Sequence, residues 1–162
     1  MLDFPWLASV PALRCHGKVT STSRVLGVDP GSVRIGLALS DEMGFMAHPF
    51  CTIKVKGGDC LTGAPEIAAA ARDKEAVIIV IGLPRNMNGT YGPAAEKSRA
   101  LAEAVKQLTS ARVILWDERL TTVAATRSLQ ETGMDSRAQR QVIDQAAAVQ
   151  ILQSWLDSQA AI

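Results

Sequence analysis

The stretch Arg24 to Ser40, RVLGVDPGSVRIGLALS, decides the fold. Val25 to Val28 reads as an apolar strand that reaches one carboxylate, Asp29, and turns at once through Pro30 and Gly31 into a second strand, Val33 to Leu39. Proline presets φ at the second turn position and glycine accepts positive φ at the third, so Asp29-Pro30-Gly31-Ser32 fits a type II turn. Strand alternation puts Val25, Gly27 and Asp29 on one face. Gly27, and Gly36 on the return strand, are expected to leave cleared space near the carboxylate. An acid beside cleared space on a rigid strand suits a metal ion. Aspartate in a tight hairpin can equally be a turn residue with no chemistry. This stretch by itself leaves both readings open.

Outward from this hairpin, the chain has the size of one ordinary domain. Its 162 residues suffice for a real core, and an apolar content of 48% with 20% charged residues predicts a soluble globular protein. No apolar run reaches membrane-spanning length. The formal net charge of +1 gives no global signal for nucleic acid, so any phosphate-binding surface must be local. The cysteines, Cys15, Cys51 and Cys60, are odd in number and form no C-x-x-C pair, which argues against a disulfide scaffold and for a reducing, cytoplasmic setting. Cys15-His16, His48 and Cys51 match no common zinc spacing, so packing roles are expected for them.

Residues 1–23 carry Trp6 and other apolar residues, but Asp3 stands where a signal peptide would be basic, and Pro5 and Pro11 break any helix. A poorly ordered or surface-packed extension is expected there, ahead of a domain over 24–162. Phe45 to Val55 is a third extended stretch, with Pro49 pointing to an edge or a bulge. Lys56-Gly57-Gly58-Asp59 is a loop, and Ala64 to Lys74 a helix. Ala76 to Ile81 is a continuous β-branched run of the kind buried on both faces of a sheet. After the loop Gly82 to Gly92, Pro93 opens a helix to about Leu108. Arg112 to Trp116 is a short buried strand. A helix is expected from about Thr122 to Thr132, ended by Gly133. Ser136-x-x-Gln139 has the capping-box pattern for a last helix to about Asp157. The pattern is α/β: a mixed five-stranded sheet with flanking helices, and neither a repeat nor a second domain.

Three acids and a loop carry the candidate chemistry. Asp29 ends the first strand and Glu118 follows the last, at strand ends where open α/β sheets bind ligands. Helical spacing places Asp144 on one stripe with Ala147, Ala148, Ile151 and Trp155, an apolar stripe that should face the sheet. An inward acid needs a partner: a metal ion, or an arginine such as Arg140 four residues upstream. Together the three acids suggest one divalent-metal site of hard oxygen ligands, suited to Mg²⁺ or Mn²⁺. The loop GLPRNMNGTYGP supplies Arg85, Asn86, Asn88, backbone N–H groups and a helix N-terminus, which suits phosphate, although it lacks the ending of a P-loop. Arg34, Arg119, Arg127, Arg137 and Arg140 lie near these elements and could follow a nucleic-acid backbone; solvated helix faces would explain them nearly as well.

With these motifs assembled, the chain resembles the YqgF family, Holliday junction resolvase-like nucleases also described as pre-16S rRNA nucleases. VDPGSVRIGLALSD, VIGLPRNMNGT, DERLTT and IDQAAAVQIL carry the resemblance, in order from Arg24 to the last helix. It implies an RNase H-like fold and a metal-dependent phosphodiesterase whose acids fall on Asp29, Glu118 and Asp144. Asn88 stands where many members carry Asp, and the basic run before the last acid is reduced to Arg137 and Arg140. Residues 1–23 have no counterpart in it.

The resulting expectation is a cytoplasmic endonuclease acting on structured nucleic acid, most simply in 5′-end maturation of pre-16S rRNA. Its three acids would hold two metal ions roughly 4 Å apart, and Arg34, Arg85, Asn86, Asn88, Arg119 and Arg140 would hold the substrate. Alternatives are a resolvase of branched DNA and a non-cleaving nucleic-acid-binding protein acting in transcription; the chain could work as a monomer or a homodimer. An actin-like phosphotransferase also opens on a D-x-G turn, but needs two such domains.

Overall fold

The apolar hairpin becomes the middle of the sheet because both of its faces are covered. The computed structural model describes residues 23–86, 88–117 and 137–160, the stretch 137–143 as backbone only. In chain order these form β1 (Arg24–Pro30), β2 (Arg34–Ser40), β3 (Ala47–Lys54), α1 (Ala64–Asp73), β4 (Ala76–Leu83), α2 (Pro93–Lys106), β5 (Arg112–Asp117) and α3 (Arg137–Ala160). The sheet has five strands in the order β3-β2-β1-β4-β5. β1, β4 and β5 are parallel, and β2 and β3 form an antiparallel meander on the other side of β1. This is the mixed five-stranded sheet that the sequence predicts.

Alternation divides the core between two layers. Leu26, Val28, Ile35, Leu37, Ile79 and Ile81 pack with Ile67 of α1 and Leu101 and Val105 of α2. Val25, Ala38, Ile78 and Val80 point the other way, onto Ala148, Ile151, Leu152 and Trp155 of α3. Trp116 of β5 anchors this second layer by donating its indole N–H to Ser154 Oγ at 3.2 Å. The predicted inward stripe of the last helix is therefore correct.

Local chemistry sets the connections. Pro93 occupies the first turn of α2, where a missing N–H is harmless. Gly57 and Gly58 take φ of +62° and +72° between the bridged pair Lys56 and Asp59, the left-handed pair that a tight hairpin turn requires. Pro49 lies on the edge strand at a register shift, because Leu37 pairs with Cys51 while Ala38 pairs with Pro49. Edge and bulge thus coincide there.

Two expectations for the hairpin need correction. Gly31 does not take positive φ, so the turn is not type II. The ladder closes at the Pro30–Ile35 pair, and Gly31 is needed because a Cβ would overlap the Arg34 carbonyl. The space beside Gly27 and Gly36 is not open either. A Cβ on Gly27 would sit 2.6 Å from Leu152 Cβ and 3.1 Å from the Ala148 carbonyl, and one on Gly36 would overlap the Asp144 carbonyl. The glycines admit a helix, not a ligand. The extension over 1–22, the helix expected near 122–132 and the capping residue Ser136 lie outside the described residues.

Gly36→Ala should therefore lose roughly 1–3 kcal/mol of unfolding free energy, the usual range for overpacking, because backbone cannot step aside as a side chain can. Urea titration measures it, and a loss under about 0.5 kcal/mol would contradict the close crossing.

Candidate active site

The parallel strands β1, β4 and β5 finish at one edge of the sheet, at Pro30, Leu83 and Asp117. From β1 the chain turns to one side through β2, while β4 lies on the other, so this edge is a topological switch point where α/β sheets bind ligands. Asp29 stands there, buried at 7% exposure, on the α3 face that it shares by alternation with Val25 and Gly27. Its cross-strand partner is Gly36. The α3 backbone at Asp144 seats on that same Gly36, and one and two turns later Ala148 and Leu152 seat on Gly27. The crossing thus brings Asp144 to the Asp29 end of the sheet and to the Asp29 face.

Asp144 has a partner at this edge. Its Oδ2 accepts a hydrogen bond from Arg34 Nε at 2.5 Å, with both side chains about one-quarter exposed. Arg140 was the arginine expected to serve if the acid were structural, and its side chain lies outside the described residues. The Arg34 pairing is tertiary: it joins α3 to the start of β2 across 110 residues of sequence.

The loop after β4 is more ordered by its own bonds than its composition implies. The Asn86 N–H donates to the Thr90 carbonyl and the Gly89 N–H to the Asn86 carbonyl, both at 2.9 Å, with Gly89 at φ +82°. Asn88 Oδ1 accepts from the Thr90 N–H at 3.0 Å and from its hydroxyl at 2.6 Å, and Asn86 Nδ2 donates to Thr90 Oγ1 at 3.0 Å. Both asparagines therefore shape the loop, their side chains standing at its exposed rim. Arg85 is tied into this loop rather than extended from it. It donates to the Gly89 carbonyl, reaches Asp117 Oδ2 at 3.3 Å and lies 5.0 Å from the Tyr91 ring centroid. Arg99 approaches the same ring at 4.5 Å. Tyr91, Arg99 and Asp117 join the site in the structure; a lone tyrosine in a glycine-rich loop with arginines on both sides is the sequence signal for the first two.

Glu118, Arg119, Arg127 and the side chain of Arg137 lie outside the described residues. Among the described residues no group of three or more His, Cys, Asp or Glu side chains is arranged to hold a metal ion; Asp29 and Asp144 are two members of the expected three. Among the described residues the cysteines offer no soft-metal alternative. Burial pushes both the Cys51 and Cys60 thiols up, helped by the charge of Glu66 at Cys51 and of Asp59 at Cys60, so both stay protonated at neutral pH. Cys15 and His16 lie outside the described residues. A cleft of about 530 Å³, lined by Val25, Ile78, Arg112 and Trp155, opens at the opposite end of the parallel strands, away from the acids. No described helix is long and apolar enough to cross a membrane.

A mixed sheet of this order with an acid at the end of its central strand is the RNase H-like arrangement, and solved structures agree on the fold. RuvC of Thermus thermophilus in complex with a Holliday junction superposes with a TM-score of 0.54 over 85% of this chain and 96% of that one, at 11% identity. The free T. thermophilus RuvC gives 0.53. The family is defined by sequence: residues 23–158 match the model of RuvX, Holliday junction resolvase, and the chain belongs to that family. A Nocardia farcinica protein that bears the provisional name pre-16S rRNA nuclease is 47% identical over 144 residues, covering 86% of this chain and 80% of its own. A Bacillus licheniformis protein with the same provisional name is 46% identical over 137 residues, covering 83% and 97%.

Arg85→Ala should lower stability by about 1–2 kcal/mol, since it removes a charge-assisted bond, an ion pair and a ring contact together. Arg85→Lys should recover only part, because an ammonium lacks the fork. Thermal melts check both. The raised thiols give a pH signature. The unfolded chain loses the thiol proton first, so stability should fall as pH climbs past about 8.5, the ordinary thiol value. Cys60→Ala should flatten that alkaline slope in urea titrations across pH 7–10.

Proposed function

We propose that this protein is a divalent-metal-dependent endonuclease that hydrolyses phosphodiester bonds in structured nucleic acid, with the 5′ end of pre-16S rRNA as its foremost substrate and the cytoplasm as its place of work. The observation that carries the reading is the convergence of Asp29 and Asp144 on one end and one face of the sheet, through the contact of Gly36 with the α3 backbone. Two carboxylates gathered at a switch point, one of them buried, have the hard-oxygen chemistry that Mg²⁺ or Mn²⁺ requires, and no described histidine or thiolate competes. The donor set therefore fits the ion that the family implies. Asp29, Asp144 and Glu118 would hold it. When bound, the cation supplies Lewis acidity that activates an attacking water and neutralises charge on the phosphate.

The chain's own residues supply the rest. Asp29 is held by the central strand, hydrogen-bonded on both sides, so its carboxylate needs little reorganisation. The rim of the 84–92 loop offers the Asn86 and Asn88 side chains to a phosphate or ribose, while Arg85 keeps that rim in shape and adds positive charge beneath it. Arg119 and Arg140 would extend the contact along the substrate backbone. The names of the Nocardia and Bacillus relatives favour ribosomal RNA precursor over DNA. The family's own description favours a second substrate, the four-way junction.

A cleavage assay with Mg²⁺ or Mn²⁺ on a 16S rRNA precursor and on a four-way DNA junction separates these substrates; cleavage of neither would contradict the proposal. Asp29→Asn and Asp144→Asn should each reduce cleavage by at least 10³-fold, a loss of about 4 kcal/mol in transition-state stabilisation. Asp144→Asn should melt within about 1 kcal/mol of the parent, since the pair it weakens is partly solvated.

A further inference from the structure

Arg34 stands at the acid edge with one nitrogen committed to Asp144. It opens β2, two residues before Gly36, so Arg34, Gly36 and Ala38 share the α3 face by alternation. Gly36 pairs with Asp29 and touches the Asp144 backbone. The guanidinium is thus attached one alternate position from the point where the two acids converge. Gly31 fixes its approach from the other side, since a Cβ there would overlap the Arg34 carbonyl. Arg34 Nε donates to Asp144 Oδ2 at 2.5 Å, so the guanidinium already engages one carboxylate of the proposed ligand set.

We propose that Arg34 is the internal counter-ion of the acid cluster: it neutralises Asp144 in the metal-free protein and yields that carboxylate to a divalent cation, so that metal binding and the Arg34–Asp144 ion pair compete. This rests on the metal site proposed above. Two charges argue for it. Crowded carboxylates repel, and a guanidinium on one of them relieves that repulsion while no metal is bound. The same positive charge opposes the arrival of a second cation a few ångströms away. An arginine cannot escape the conflict by losing its proton, so it must move or weaken the metal. The movement has a use. A guanidinium displaced from Asp144 at this edge is a fork-shaped donor set matched to a phosphate. Substrate phosphate would draw Arg34 away from Asp144, favouring metal, and metal would release Arg34 to phosphate. By linkage, each then strengthens the other's binding.

The test compares the full chain with Arg34→Gln and Arg34→Lys by Mn²⁺ titration calorimetry without nucleic acid, with thermal melts in chelator. Arg34→Gln should bind Mn²⁺ about tenfold more tightly than the parent, the order expected when a unit charge is removed from a partly solvated site near a divalent ion. It should also melt lower in chelator and gain more from added Mn²⁺. Arg34→Lys keeps the charge and should stay within about twofold of the parent in Mn²⁺ affinity, which separates charge from misfolding. Parent-like or weaker Mn²⁺ binding by Arg34→Gln, with the parent itself binding Mn²⁺ and losing that binding in Asp29→Asn, overturns the competition and leaves the metal site standing. No saturable Mn²⁺ binding by the parent overturns the metal site, and the competition with it.

Discussion

The structure depends on one close crossing. Helix α3 lies directly on the β1–β2 ladder at Gly36 and Gly27, where its backbone occupies volume that any side chain would fill. The burial of Ala148, Ile151, Leu152 and Trp155 against Val25, Ala38, Ile78 and Val80 supplies the driving force, and the two glycines supply the approach. The same contact does two things. It closes one layer of the core, and it delivers Asp144 to the end of the strand that carries Asp29. Stability and the candidate chemistry are therefore tied at residue 36: a protein of this fold cannot loosen the crossing without also moving an acid.

The acid edge is a concentration of charge that the fold accommodates by pairing across elements. Arg34 meets Asp144 and Arg85 meets Asp117, each pair joining segments remote in sequence and each about three-quarters buried. Isolated surface ion pairs contribute little, and these two, with about a quarter of each side chain still in water, remain partly screened and contribute modestly. The loop after β4 uses the same logic in polar form: Asn86, Asn88 and Thr90 satisfy one another and the backbone, so a long connection holds its shape without an apolar core of its own.

The chain, a member of the RuvX family, combines a central hairpin with one acid, a polar loop after β4 and a last helix whose Asp144 reaches the acid edge. The agreement with T. thermophilus RuvC, at 11% identity, concerns the fold alone. It shows that this arrangement of layers survives nearly complete replacement of the residues, as expected when apolar pattern and strand order, not particular side chains, define the core.

The sequence by itself determined the elements and their layers. The β-branched run Ala76 to Ile81 has the pattern of a doubly covered strand, the alternation through Val25, Gly27 and Asp29 placed the acid on a face, and the spacing of Asp144 with Ala148, Ile151 and Trp155 turned a helix inward. These are periodic signals, carried by residues near one another in the chain. Only the tertiary structure decided what fills the space at the glycines, because an absent side chain has the same appearance whether a ligand or a helix backbone comes to occupy it. It also decided the partners of the charges. Asp144 pairs with Arg34, 110 residues away in sequence, and Arg85 is held by Asp117, Gly89 and Tyr91. Which cation meets which acid depends on how helix and strand ends converge in space, and no local pattern in the chain encodes that distance.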